Sequence, residues 1–133
     1  MWVYHHHGAI IMNLLSLSLI LFSVSLSVLA QILLKQGMSA PEISLSFSTS
    51  LTSGVLNILT NFFILGGLVA YVTSAAVWLG VLAKVDVSKA YPFAGLGFIG
   101  TMLFAYWFLN EPLTFSKVMG GLMIIAGIAL IAK

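Results

Sequence analysis

Gln31 and Lys35 are the first side chains in this 133-residue chain whose types and spacing suggest chemistry. They lie at the end of an apolar run from Leu14 to Leu34, and a separation of four residues places both on one helical face. An ammonium beside an amide suits an anion, because the lysine supplies charge and the glutamine supplies orientable donors. Lys35 is therefore the best candidate to meet a phosphate at a membrane surface. Two other uses of it stay open. Its stem could lie in the apolar layer while its ammonium reaches water, or it could pair with Glu111, a contact worth little in water and more if shielded. Tyr91 and Trp78 complete the candidate set. Trp78 sits deeper than an interfacial position requires, which suits a cavity wall or plain packing.

Catalysis has little to work with. The acidic residues are Glu42, Asp86 and Glu111, all expected at membrane edges or in a loop, and there is no cysteine. No carboxylate pair, triad or metal cluster emerges, so no catalytic residue, metal or cofactor is expected and the protein is read as a non-enzyme. His5, His6 and His7 form a tract that could bind metal. They fall in a leader, Met1 to Ile11, before a second methionine at Met12, and are set aside as a remnant or upstream-start artefact.

The elements that must position these groups are membrane spans. Hydrophobic residues make up 61% of the chain and charged residues 6%, against about 25% charged in soluble domains. The expected fold class is an all-α membrane protein with four transmembrane helices in a single domain over residues 12–133. The spans are expected at about 13–36, 61–83, 90–109 and 116–132. Serines in the first span can bond back to their own helix carbonyls. The serine-rich stretch Met38 to Ser53 reads as a loop. After it Leu51, Val55, Ile58, Leu59 and Phe62 fall at helical spacing and predict a short interfacial helix.

Gly66, Ala70 and Ser74, four apart, form a small-residue ridge in the second span. Lys84, Asp86 and Lys89 make a short charged turn, forcing spans two and three to be antiparallel. Gly95, Gly97 and Gly100 in the third span allow either close packing or bending, the latter a hinge. The turn Asn110-Glu111-Pro112 puts Glu111 on the membrane side of Lys35. In the fourth span Gly120 and Gly127 are seven apart on one face, a dimer seam or an intramolecular groove. Both termini are expected on one side, and the lysine distribution favours a cytoplasmic N-terminus. So few charges give no reason to expect a nucleic-acid partner.

The run Leu29-Ala-Gln-Ile-Leu-Leu-Lys-Gln-Gly37, the stretch Ala90-Tyr-Pro, the Asn-Glu-Pro turn and Gly120-Gly-Leu-Met-Ile-Ile-Ala-Gly127 together resemble the drug/metabolite transporter superfamily. Within it the chain is similar to half-size EamA-type proteins and to the paired subunits that flip 4-amino-4-deoxy-arabinose-phosphoundecaprenol across the bacterial inner membrane. The resemblance implies transport of an undecaprenyl-phosphate-linked sugar or a related lipid phosphate by a homodimer or a heterodimer. The small multidrug resistance family is similar too, but its proton-coupling glutamate in span one matches Gln31, which cannot titrate. A lysine and two glutamines near one helix end suit a phosphate better than a cationic drug. The competing expectations are a small-cation or metabolite exporter and a non-transporting partner of a membrane glycosyltransferase.

Overall fold

The computed structural model describes residues 14–132. The leader with its three histidines, and Lys133, lie outside the described residues. Among the described residues four helices are long and apolar enough to cross a membrane. They are α1 (Leu14–Met38), α4 (Phe62–Leu82), the continuous segment Val87–Phe108, and α7 (Phe115–Ala132). The third consists of a short α5 (Val87–Ala90), a 3₁₀ turn (Tyr91–Ala94) and α6 (Gly95–Phe108). The protein is an integral membrane protein of the all-α class.

Helix α1 is the centre of the arrangement. It packs most extensively on α4 and, on its other side, on α6, while α7 packs on α6 and the 3₁₀ turn. A seam of small residues explains the intimacy of α1 and α4. Ser16, Ser23, Ala30 and Gly37 recur every seven residues along α1 and are all buried. Gly67, Ser74 and Val81 do the same along α4. Running antiparallel, the two stripes meet: a Cβ on Gly67 would lie 3.1 Å from the Ala30 carbonyl oxygen, and the Ser23 hydroxyl donates to the Ser74 carbonyl at 2.8 Å. A seven-residue repeat keeps the contact on one face of each helix over its whole length.

Two sequence expectations shift here. The Ser23 hydroxyl is used between helices, not bonded back to its own helix. Of the glycines of this stretch it is Gly67, one residue beyond Gly66, that lies tight against α1: a Cβ on Gly66 would stand 3.8 Å from Leu33 Cδ1, and Ala70 is half-buried. Replacing Ser23 with alanine is expected to cost about 0.5–1.5 kcal/mol. The measurement is the thermal unfolding midpoint in detergent, and an unchanged midpoint would show that the bond contributes nothing net.

The stretch from Met38 to Ser53 is not a loop. It contains α2 (Pro41–Thr49), followed by α3 (Leu51–Thr60). Pro41 occupies the first turn with Glu42 beside it, both favourable at a helix start. Hydroxyls that argued for a loop are absorbed by the helix itself, as Ser46 donates to the Glu42 carbonyl and Ser48 to that of Leu45. The helix folds back on α3, where Gly54 admits the Phe47 ring and the Asn57 amide bonds the Ser46 hydroxyl. The short apolar helix α3 therefore lies between the first two spans, ending at Thr60. Phe62 belongs to α4 instead, because Asn61 breaks the path and caps α4 by accepting from the Ile64 amide.

Candidate functional site

At the end of α6 the Asn-Glu-Pro turn is held by a specific backbone arrangement. Asn110 takes a left-handed conformation, φ 56°, and the Glu111 amide donates to the Ala105 carbonyl at 3.2 Å. The closure spans the seven residues from Ala105 to Glu111, in which asparagine tolerates the positive φ and the proline after Glu111 stops the helix. Glu111 is thus fixed to the end of α6. It lines a crevice of about 550 Å³ with Lys35, Gln36 and Ser39 from the end of α1, Asn110 beside it, and Phe63 and Phe108 as apolar walls. The sequence expectation that Lys35 and Glu111 share a membrane side is thereby made concrete. Yet among the described residues neither the Lys35 ammonium nor the Glu111 carboxylate makes a salt bridge or a side-chain hydrogen bond.

An apolar groove of about 440 Å³ adjoins the crevice, running between α1 and α6. Val28, Leu29 and Ile32 form one side, Leu96, Phe104 and Phe108 the other, and Gly100 opens its floor. Phe108 is a wall of both spaces and stacks on Phe104, with ring centroids 5.7 Å apart and planes 11° from parallel. A crevice with charged and polar lining thus adjoins an apolar groove across the Phe108 ring.

Gln31 lies elsewhere. It lines a larger groove of about 1000 Å³ between α1, α6 and α7, together with Ser27, Tyr91, Thr101, Lys117 and Gly120. Lys117 was not singled out from the sequence. Its ammonium donates to the Pro112 carbonyl at 2.8 Å. The packing levels order this groove: a Cβ on Gly100 would lie 3.2 Å from Val28 Cγ2, and one on Gly121 would lie 3.2 Å from Met102 Cε. At a 1.5 Å rise per residue, Gln31, Thr101 and Lys117 lie toward one end and Tyr91, ten residues before Thr101, about 15 Å away toward the other.

Trp78 and Tyr91 meet in a third, smaller cavity of about 250 Å³ with Ser23 and Ser74. Trp78 also packs on the buried cluster Ile20, Val81, Val85 and Ala90. The three glycines of α6 divide their contacts. Gly95, directly after the 3₁₀ turn, faces Ile124 of α7, whose Cγ2 would lie 2.9 Å from an added Cβ, while Gly97 and Gly100 face Val24 and Val28 of α1. Gly120 and Gly127 of α7 look into open space, with nothing within 4 Å of where a Cβ would stand.

The probable 4-amino-4-deoxy-L-arabinose-phosphoundecaprenol flippase subunit ArnF of Erwinia tasmaniensis is 37% identical over 114 residues, 82% of this chain and 87% of that protein. The chain belongs to the ArnE/ArnF family of flippase subunits. A second ArnF of the family, from Proteus mirabilis, is 34% identical over 84% of this chain and 86% of its own length. The ArnE subunit of Erwinia tasmaniensis is 40% identical over a shorter stretch, 52% of this chain and 65% of that protein. No protein-family model matches the chain, and no solved structure matches it significantly. Membership in the ArnE/ArnF family agrees with the resemblance read from the run Leu29 to Gly37, the stretch Ala90-Tyr-Pro, the Asn-Glu-Pro turn and the run Gly120 to Gly127.

Proposed function

We propose that the chain is one subunit of a flippase that moves a polyprenyl-phosphate-linked sugar across a bacterial inner membrane. The observation that carries this reading is that Phe108 walls both the crevice holding Lys35 and the apolar groove along α1 and α6, so the two spaces adjoin. A lipid phosphate has the same two parts. Lys35 meets the phosphate through a charge-assisted contact, and the prenyl chain lies against Val28, Ile32 and Phe104. Crossing the hydrocarbon core unaided is costly for a charged head group, so a polar lining is the service a flippase supplies. The groove holding Gln31, Thr101 and Lys117 provides such a lining.

That groove is open along α7, whose packing within the chain is with α6 and the 3₁₀ turn. A second four-helix subunit, identical or related, closes it in our reading, with Gly120 and Gly127 offering the close approach. Similarity to both ArnF and ArnE proteins supports a pair. The 3₁₀ turn ahead of Gly95 is the proposed hinge by which the groove opens to alternate sides. The lysines Lys84 and Lys89, between α4 and α6, support a cytoplasmic N-terminus.

Reconstitution tests the reading. Proteoliposomes containing the chain, alone and with a co-expressed related subunit, are expected to accelerate movement of a labelled polyprenyl-phosphate sugar between leaflets. Native mass spectrometry of the gently extracted protein is expected to show a bound lipid phosphate. No acceleration in either preparation, with no bound lipid phosphate, would overturn the assignment.

A further inference from the structure

We infer that the hairpin of α2 and α3 is seated in the boundary layer of the bilayer, with Leu51, Val55 and Leu59 among the acyl chains, and that it holds the Lys35 crevice at head-group depth. Helix α3 has 10 residues, about 15 Å, half the thickness of a hydrocarbon core. It is too short to cross the membrane and lies along it. Both ends of the hairpin are tied to spans, since Ser39 and Ala40 separate it from α1 and Asn61 alone separates it from α4. Its level is that of the span ends.

The hairpin closes on itself through one side of α3, where Gly54 and Asn57 meet Phe47 and Ser46 of α2. Leu51, Val55 and Leu59, each four residues from the next, form a separate stripe that stays exposed, Leu51 at 73% and Leu59 at 54%. Ser53 and Thr60 lie on the opposite side of the helix. Charge decides what covers the stripe. From Met38 to Asn61 the charged residue is Glu42, which stands in the first turn of α2, so α3 offers a charged partner nothing to pair with. The acyl boundary requires only apolar surface. The stripe also leads into the surface of a membrane span, because Phe62, three positions after Leu59, opens α4 and is 84% exposed.

The level of the hairpin bears on the crevice because Ser39, just before α2, and Phe63, just after α3, line it beside Lys35. The base between them is tight. The Asn61 amide donates to the Gly37 carbonyl at 3.5 Å, and a Cβ on Gly37 would lie 2.9 Å from Asn61 Oδ1. The hairpin, the crevice wall and the ends of α1 and α4 therefore move as one.

The chain has no cysteine, so single cysteines carry a nitroxide label without background. The full chain is reconstituted in liposomes of phosphatidylethanolamine and phosphatidylglycerol. Collisions of each label with dissolved oxygen are compared with those of a water-soluble nickel chelate present on both sides. Labels at Val55→Cys and Leu59→Cys are expected to favour oxygen and to read a depth about 5–10 Å inside the head groups. Labels at Ser53→Cys and Thr60→Cys are expected to favour the chelate. A label at Ser39→Cys is expected near the phosphate level, and to shift toward the chelate when Val55→Asp and Leu59→Asp put charge on the stripe and lift the hairpin. Helicity and elution volume check the fold, and a milder Val55→Ser and Leu59→Ser pair reads the same shift should the aspartates unfold the chain. Collisions dominated by the chelate at Val55 and Leu59 would put the stripe in water and overturn the inference. Shielding from both reagents would put a second subunit on the stripe and equally overturn it. A Ser39 label that keeps its depth when the stripe is lifted would overturn the link between hairpin and crevice.

Discussion

Lys35→Ala is expected to lower the affinity for polyprenyl phosphate by roughly 10- to 100-fold, corresponding to about 1.5–3 kcal/mol for a hydrogen bond to a charged group. Transport in proteoliposomes should fall with it. The ammonium is the cationic group of the crevice, which it shares with the carboxylate of Glu111, so its loss leaves net negative charge facing a phosphate. Lys35→Met separates this from packing, since methionine retains an unbranched apolar stem without the charge. If the stem mattered only by lying in the apolar layer, the methionine variant would bind and transport like the wild type. Lys35→Arg keeps the charge and should retain much of the affinity, though its planar fork fits a different donor geometry. Raising the salt concentration should weaken wild-type binding, because the crevice is open to water. Full binding and transport by both the alanine and the methionine variants would exclude Lys35 from the head-group site.

The crevice that holds Lys35 and Glu111 was legible in part because charge is so scarce. In a chain with five lysines and three acidic residues, a lysine at the end of an apolar run stands out, and counting spans was enough to put Glu111 on its side. Whether Gln31 shares that site was beyond sequence spacing. Four residues along a helix are one turn and about 6 Å, and over that distance the neighbours of α1 change. At Gln31 they are the flanks of α6 and α7; at Lys35 α6 has already ended and the Asn-Glu-Pro turn takes its place. For the same reason Lys117 went unnoticed, since nothing in its local sequence tells that α7 leans across the groove. The helix α2 was hidden differently. Serine-rich composition favours loops when hydroxyls compete for backbone groups, but here they satisfy carbonyls one turn back and leave the helix intact.

Small residues in a membrane helix are just as ambiguous, and Gly67 shows what decides their role. A branched side chain there is expected to destabilise the protein by about 1–3 kcal/mol through overpacking, with further loss from the contacts it forces apart. A Cβ alone would lie 2.9 Å from Leu34 Cγ and 3.1 Å from the Ala30 carbonyl oxygen. The first of these can turn aside; the second is backbone and moves only if α1 moves. Gly67→Val adds two further methyl groups at the same place, so the helices must separate, and the Ser23 to Ser74 bond, seven residues along the seam, is stretched with them. Gly80 supplies the control, because nothing lies within 4 Å of its added Cβ and Gly80→Val should change stability by no more than about 0.5 kcal/mol. Thermal unfolding in detergent, followed by helicity and by retention of a single elution peak, reads both variants. Equal midpoints for Gly67→Val and Gly80→Val would mean that the spacing of α1 and α4 is not set by this seam, and the placement of Lys35 at the end of α1 would need another cause.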